Sequence, residues 1–330
     1  MFLNLEMKIY PLLCNQVLLE KVWGGHSIHQ WKYDVKTSET IGESWEIHTA
    51  NIISNGEFEG KTLQEVIDMY PLEMTGRIEA IEFPLLVKIL DAQEWLSVQV
   101  HPDDALALEL EGESRGKTEC WYILSAEPDA TIQYDIKKGI GIDEYAASIE
   151  QGKPTEQLQF LTVKAGDVIY VPAGTVHAIG PGILLYELQQ TSDTTYRLYD
   201  WDRPGLDGKL RELHIEKGLQ CSRPGAGLFP YHQFPIQLDN HGNSMQVLVN
   251  EQYFMLERVM IGTQSFACAL NQKAKLITNI GDGEVHIIHD ESTITLHTAH
   301  SAFLPAGLHQ VQVLAPNGKG IILIACENAS

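Results

Sequence analysis

The sequence predicts a mainly β protein of two related β-domains, each a sandwich or barrel, with a few short helices. Many short apolar runs are separated by turns that contain Gly or Pro, which is typical of such folds. Few segments have helical periodicity, and one pattern recurs in shortened form near the C-terminus. The 330 residues suffice for two domains, at roughly 100–200 residues per domain.

The strands are predicted from alternating polarity and from short apolar runs. Glu82 to Asp91 is mostly apolar, with the cation Lys88 in its interior. Trp95 to His101 alternates with the period of a strand, so one face carries Trp95, Ser97, Gln99 and His101 and is expected to line a wet or catalytic space. The other predicted strands of this region are Trp121 to Leu124, Asp167 to Val171, Ile183 to Gln189 and Thr195 to Tyr199.

Three short helices are predicted. The first covers Thr62 to Tyr70, because Thr62 and Glu65 form a capping-box pattern and Pro71 ends the segment. The other two are Asp103 to Leu110 and Asp143 to Gln151.

An internal repeat predicts the domain organisation. The stretch from Gly166 to His177 recurs as Ser301 to His309, with one residue fewer between its Pro and its His. Pro and Gly cluster within residues 222–240, so we expect one domain over 1–225 and another over 226–330. No histidine pair and no matched glutamate precede His309, so the second domain is predicted to be a degenerate barrel without a metal.

Composition limits the partners and the compartment. The chain has 23 Lys and Arg residues against 44 Asp and Glu, a formal net charge of −21, so we expect no nucleic acid and no anionic membrane as partner. No apolar run approaches the roughly 20 residues of a membrane helix. Five widely spaced cysteines and an N-terminus without a basic start indicate the cytoplasm, with either Met1 or Met7 as the start. The sequence does not indicate an oligomeric state.

The strongest chemical signal is the stretch from Gly166 to His177. It matches G-x5-P-x-G-x2-H at every fixed position and resembles the second motif of the cupin superfamily, double-sheet barrels that bind metal at the barrel mouth. The cupin pattern also needs earlier ligands, and His101 and Glu119 stand where they are expected. The resemblance thus implies one divalent metal bound by His101, Glu119 and His177. Zn²⁺ is the preferred ion for such a set, while Mn²⁺, Fe²⁺ or Co²⁺ also fit. Taken singly, His101 could be a core histidine and Glu119 a surface acid; the joint match argues against both.

Longer motifs resemble the type I mannose-6-phosphate isomerases, in the short bacterial form that lacks a large helical insertion. These motifs are Ser97-Val98-Gln99-Val100-His101-Pro102-Asp103-Asp104, Lys117-Thr118-Glu119-Cys120-Trp121-Tyr122, the stretch from Gln190 to Trp201, Trp23-Gly24-Gly25, and Gly42-Glu43-Ser44-Trp45-Glu46. The resemblance is strong through about residue 220 and implies two cupin-like double-sheet β-barrels of jelly-roll type.

The same resemblance implies further site residues. Gln99 is a candidate fourth metal ligand, Arg197 an active-site residue, and Glu187 its neighbour. The sugar phosphate is expected to be held, a six-carbon chain away from the metal, by Lys88, Ser97 and Lys117. Without the family, Lys88 could equally pair with a carboxylate and Arg197 could be a structural ion-pair residue.

The leading hypothesis is a metal-dependent aldose–ketose isomerase that interconverts mannose 6-phosphate and fructose 6-phosphate through an enediol. The metal and Arg197 would stabilise negative charge on the sugar oxygens, and the base is Glu187 or a histidine that is not a metal ligand. One alternative is a cupin oxygenase with Fe²⁺, which has no use for two lysines and an arginine at the site. The other is a non-catalytic sugar-phosphate-binding cupin, which need not keep a full ligand set.

Overall fold

The computed structural model describes residues 8–33 and 37–328, and it is mainly β with short helices, as predicted. Both candidate start residues, Met1 and Met7, lie outside the described residues. Within the described residues no helix is long and apolar enough to cross a membrane.

The helices are α1 Ser27–Tyr33, α2 Leu63–Met69, α3 Pro71–Thr75, α4 Asp104–Glu111, α5 Ile142–Glu150 and α6 Ile215–Cys221. The strands are β1 Leu12–Leu13, β2 Val17–Leu19, β3 Glu43–Ile47, β4 Leu85–Ala92, β5 Val98–Val100, β6 Glu119–Ala126, β7 Thr131–Ile136, β8 Leu158–Thr162, β9 Val168–Val171, β10 His177–Ile179, β11 Ile183–Gln190, β12 Tyr196–Tyr199, β13 Gln237–Leu238, β14 Ser244–Asn250, β15 Phe254–Ile261, β16 Phe266–Ala269, β17 Lys275–Asn279, β18 Val285–His289, β19 Ser292–Leu296, β20 Ser301–Leu304, β21 Gln310–Leu314 and β22 Gly320–Glu327.

The three predicted helices are present as α2, α4 and α5, with each end shifted by one residue. The capping box is confirmed, because the Glu65 N–H donates to the Thr62 side chain and the Thr62 N–H donates to the Glu65 carboxylate. Pro71 ends α2 and also begins α3, where its missing N–H costs nothing. The helices α1, α3 and α6 were not predicted, because five to seven residues hold too few turns for a periodic pattern.

The chain forms two compact units. The site unit comprises residues 17–33, 37–45 and 85–232. It contains a six-stranded sheet, ordered β2-β3-β4-β11-β6-β9, and a five-stranded sheet, ordered β12-β5-β10-β7-β8. Apolar side chains from both sheets, including Trp121, Ile132 and Leu185, form one core cluster, so the two sheets share a single interior.

The companion unit comprises residues 8–16, 46–84 and 233–328. Its seven-stranded sheet is ordered β1-β20-β17-β22-β15-β14-β13, and its four-stranded sheet is ordered β16-β21-β18-β19. The core between them is apolar, with Val259, Ile277 and Val313 fully buried. His309, the counterpart of His177, is exposed. His309 lies between the turn over Ala306–Leu308 and β21, with a left-handed φ of 59°, whereas His177 begins a strand.

These units differ from the predicted contiguous segments 1–225 and 226–330. The chain enters the last part of the companion unit after His232, close to the predicted boundary. The earlier segments join that unit through long-range contacts: β1 pairs with β20, and α3 lies against the turn over Ala306–Leu308. Such pairings depend on partners far away in the sequence, so local composition could not reveal them.

Candidate metal and substrate site

Three strands of the site unit bring together the side chains that were predicted as metal ligands. His101 follows β5, Glu119 begins β6 and His177 begins β10. The Glu119 Oε2 atom lies 3.5 Å from His101 Nε2, and its Oε1 atom lies 3.4 Å from His177 Nε2. All three side chains are buried, and the ligand atoms lie within 4.8 Å of one another. A single small ion can therefore reach all three.

The turn before β10 explains the position of His177. Gly174 has a φ of 89°, a left-handed conformation that favours glycine, and its N–H donates to the His101 carbonyl at 2.9 Å. In β10, His177 is paired with Gln99 of β5. The Pro-x-Gly motif thus ties the later ligand to the strand that leads to the earlier one.

The donor set fits a divalent metal. The Nδ1 atoms of His101 and His177 each lie 2.9 Å from a backbone carbonyl, of Thr194 and Thr175 respectively. A carbonyl only accepts, so the proton of each ring is on Nδ1 and the Nε2 lone pairs face the centre. Neither buried oxygen of Glu119 accepts a hydrogen bond, although an ammonium lies close to one of them.

Electrostatics keep both imidazoles neutral. Burial lowers the pKa of His177 to about 4. Burial and the nearby Lys117 ammonium hold the pKa of His101 well below its usual value. Neutral imidazole is the form that binds a metal, so the ligands need no proton release near neutral pH.

Ser97, Gln99 and Lys117 lie at the ligand cluster. The Gln99 amide nitrogen is 3.3 Å from His177 Nε2, and the Gln99 oxygen accepts from the Ser97 hydroxyl at 3.1 Å. Lys117 Nζ is 3.0 Å from Glu119 Oε2. Lys117 is therefore beside the ligand atoms rather than a six-carbon chain away.

Trp95, predicted on the same strand face as Gln99, packs against Trp201 with ring centroids 5.3 Å apart.

Lys88 is an ion-paired ammonium inside β4. Its Nζ lies 3.1 Å from Asp193 Oδ1 and 3.6 Å from Glu43 Oε2, and the side chain is only 3% exposed. Burial acts to lower the pKa of Lys88, but the two carboxylates outweigh burial and raise it. The carboxylate pair that the sequence left open is present, and Lys88 is a fixed positive charge.

Glu187 and Arg197 face the same cleft. Glu187 in β11 is the register partner of Lys88 and accepts from the Trp121 indole at 3.0 Å. Burial, and then the charge of Glu119, raise the pKa of Glu187 to about 7. Arg197 in β12 is partly buried, and its Nε has no hydrogen-bond partner. A carboxyl that ionises near neutrality and a guanidinium with a free donor are suited to acid–base and charge-stabilising roles.

Sequence analysis missed several polar residues of this cleft. They are Lys21, Glu43, Asp193, Thr195 and Arg211. The motif Trp23-Gly24-Gly25 stands close to Lys21, the motif from Gly42 to Glu46 contains Glu43, and the motif from Gln190 to Trp201 contains Asp193 and Thr195, so these motifs could have marked four of the five. Arg211 has no motif around it, and only the fold brings it to the cleft.

Comparisons with known proteins identify the family. A family model described as phosphomannose isomerase type I, catalytic domain, matches residues 12–119. The mannose-6-phosphate isomerase ManA of Bacillus subtilis is 36% identical over 314 residues, which cover 93% of this chain and 96% of that protein. The mannose-6-phosphate isomerase of Streptococcus mutans is 42% identical over 256 residues, covering 76% of this chain and 79% of that protein.

Solved structures of mannose 6-phosphate isomerases are similar to this chain in fold. The crystal structure of mannose 6-phosphate isomerase from Bacillus subtilis matches with a TM-score of 0.87 at 31% identity, covering 96% of this chain and 99% of that one. The apo form of mannose 6-phosphate isomerase from Salmonella typhimurium is similar in fold, with a TM-score of 0.73 at 14% identity over 98% of this chain and all of that one.

Proposed function

The chain belongs to the type I phosphomannose isomerases, and from that premise we propose that it interconverts mannose 6-phosphate and fructose 6-phosphate through an enediol. The observation that carries the proposal is a cleft with fixed cations and a carboxyl ionising near neutral pH, two of whose lining residues, Gln99 and Lys117, lie beside the buried His-Glu-His set. Five free, buried cysteines fit the expected cytoplasmic location.

The metal proposed for this site is Zn²⁺, held by His101, Glu119 and His177, with Gln99 as the candidate fourth ligand. Two imidazoles and a carboxylate are a common zinc set that leaves a position open. When bound, the ion supplies Lewis-acid stabilisation of negative charge on the sugar oxygens.

The chain's own residues divide the remaining tasks. Lys117 and Ser97 lie at the ligand cluster, where they can donate to sugar oxygens near the reacting carbons. Lys88 is proposed to bind the phosphate, because its ammonium is fixed and lines the cleft. Arg197 offers an unpaired Nε donor to the oxygen that becomes negative in the enediol.

The proposed base is Glu187, which moves the proton between C2 and C1. A base works best when its pKa lies near the working pH, and Glu187 meets this condition because burial and Glu119 raise its pKa to about 7. The indole N–H of Trp121 holds one carboxylate oxygen, which orients the group.

The first expected result is chelator-sensitive isomerase activity. The purified chain should convert mannose 6-phosphate to fructose 6-phosphate, lose that activity after exhaustive chelation, and regain it with Zn²⁺. A coupled spectrophotometric assay measures all three states. Binding of mannose 6-phosphate without turnover would favour the non-catalytic sugar-phosphate binder, and O₂ consumption that requires Fe²⁺ would favour the oxygenase.

Glu187→Gln is expected to lower kcat by roughly 10²–10⁴-fold, because the amide keeps the shape but cannot accept the proton. KM and bound metal should change little, since Glu187 belongs to neither the proposed ligand set nor the proposed phosphate contacts. Glu156→Gln, the same change at a side chain that is 59% exposed, is the matched control. Normal turnover of Glu187→Gln would remove Glu187 as the base and leave a histidine as the candidate.

A further inference from the structure

One carboxylate in the cleft bridges two ammonium groups. Lys21, which follows β2, has its Nζ 3.0 Å from Glu43 Oε1, and the Nζ of Lys88 lies 3.6 Å from Glu43 Oε2. All three residues line the cleft that contains the candidate active site. The Lys21 side chain is 30% exposed, whereas that of Lys88 is 3% exposed, so Lys21 is the cation more accessible to an incoming ligand.

Two sequence motifs hold Lys21 in this position. The Gly24 N–H donates to the Lys21 carbonyl at 2.9 Å and closes a turn, and the Gly42 N–H donates to the Leu19 carbonyl at 3.0 Å. A Cβ on Gly42 would lie 2.5 Å from both Cβ and Cγ of Lys21, closer than real atoms approach. Glycine at position 42 is therefore needed for the stem of Lys21 to lie against the start of β3.

Glu43 is fixed as an anion between the two lysines. The Trp45 indole donates to Glu43 Oε2 at 2.8 Å, and the ring of Trp45 covers the Lys88 ammonium at 4.7 Å. Burial opposes ionisation of Glu43, but the charges of Lys88 and Lys21 outweigh burial and hold its pKa at about 2. The positions of both ammonium groups are thus set before any ligand binds.

The charge balance of the whole cleft favours an anion, although Lys21 and Lys88 are matched by Glu43 and by Asp193, whose side chain is 64% exposed. Five cations line the cleft against three carboxylates; the cations are Lys21, Lys88, Lys117, Arg197 and Arg211, and the carboxylates are Glu43, Glu187 and Asp193. A phosphate dianion can accept charge-assisted hydrogen bonds from both lysines at once. The net charge of −21 opposes such a ligand at long range, so local cations must compensate.

We propose that Lys21 is a substrate-binding residue that receives the phosphate group of the substrate together with Lys88, and that Glu43 is the positioning residue for both ammonium groups. This inference rests on the proposed isomerase function and adds two residues to the substrate site. It also gives a role to the motifs around Trp23 and Glu43.

Lys21→Met tests the proposal in the full-length, metal-loaded enzyme. We expect KM for mannose 6-phosphate to rise roughly ten- to a hundredfold, as for the loss of one charge-assisted contact, with kcat changed by no more than about twofold. The inhibition constant of inorganic phosphate should rise by a similar factor, whereas that of unphosphorylated mannose should stay unchanged. Lys164→Met, the same change at an 81% exposed side chain, is the matched control.

Lys21→Arg keeps the charge and should recover most of the phosphate affinity, which also covers the case in which Lys21→Met folds poorly. Unchanged KM and unchanged phosphate inhibition in Lys21→Met would overturn the proposal. An equal rise in the inhibition constants of mannose and phosphate would also overturn it, because that result indicates a structural role for Lys21. A wild-type enzyme without activity on mannose 6-phosphate would instead refute the proposed function, so the two failures are distinguishable.

Discussion

His177→Ala is expected to abolish metal binding and isomerase activity together. The imidazole supplies one of three buried ligand atoms, and the methyl group of alanine supplies none. Lewis-acid stabilisation is worth several kcal/mol, so kcat should fall by roughly 10³-fold or more. Metal content by plasma mass spectrometry and steady-state kinetics on mannose 6-phosphate measure the two losses.

The matched control is His297→Ala in the companion unit, where the side chain is 61% exposed. That variant should keep a full metal equivalent and normal turnover. A full equivalent of metal in His177→Ala would reject the proposed ligand set, whatever the activity. Loss of metal with full activity would reject the metal's role in the reaction instead.

Arg197→Ala is expected to lower kcat by roughly 10²–10³-fold with little change in KM. Its charge is needed most when the enediol oxygens become negative, and removal of one such donor has effects of that size. The structure argues against a mainly structural role, because the bidentate partner of Asp200 is Arg211. Arg197 itself has an unpaired Nε. The melting temperature should therefore fall little.

Arg203→Ala is the comparison variant, because Arg203 is a structural arginine. Arg203 pairs with Asp200 at 3.1 Å and with Glu94 at 3.3 Å, so its loss should lower the melting temperature and leave kcat nearly unchanged. Kinetics and thermal unfolding of both variants separate the two kinds of arginine. If Arg197→Ala turns over normally when folded, Arg197 has no catalytic role. If it folds poorly, Arg197 acts as a structural ion-pair residue.

Several features of the fold and site could be predicted because their cause is local. The capping box needs only Thr62 and Glu65 three residues apart, and the structure contains it. The grouping of His101 with His177 follows from motifs in which a turn or a strand period sets the direction of each side chain. Such patterns act over a few residues, so they can be identified in the chain itself.

Other features depended on contacts between distant segments. The membership of residues 8–16 and 46–84 in the companion unit is set partly by pairing of β1 with β20. Lys117 lies two residues before Glu119, and the fold brings its Nζ within 3.3 Å of His101 Nε2, whereas the family resemblance assigned Lys117 to the sugar phosphate.

The sequence by itself determined the β character, the repeat, the metal-ligand motif and the excess of acid, since each follows from residue type and spacing. Tertiary structure alone decided which charges meet. Lys21 and Lys88 are 67 positions apart in the numbering, yet both lie within 3.6 Å of one carboxylate. The physical reason is that a buried charge persists only with a partner at close range. The identity of that partner is set by strand order: Lys21 follows β2, Glu43 begins β3 and Lys88 lies in β4, three neighbouring strands of one sheet.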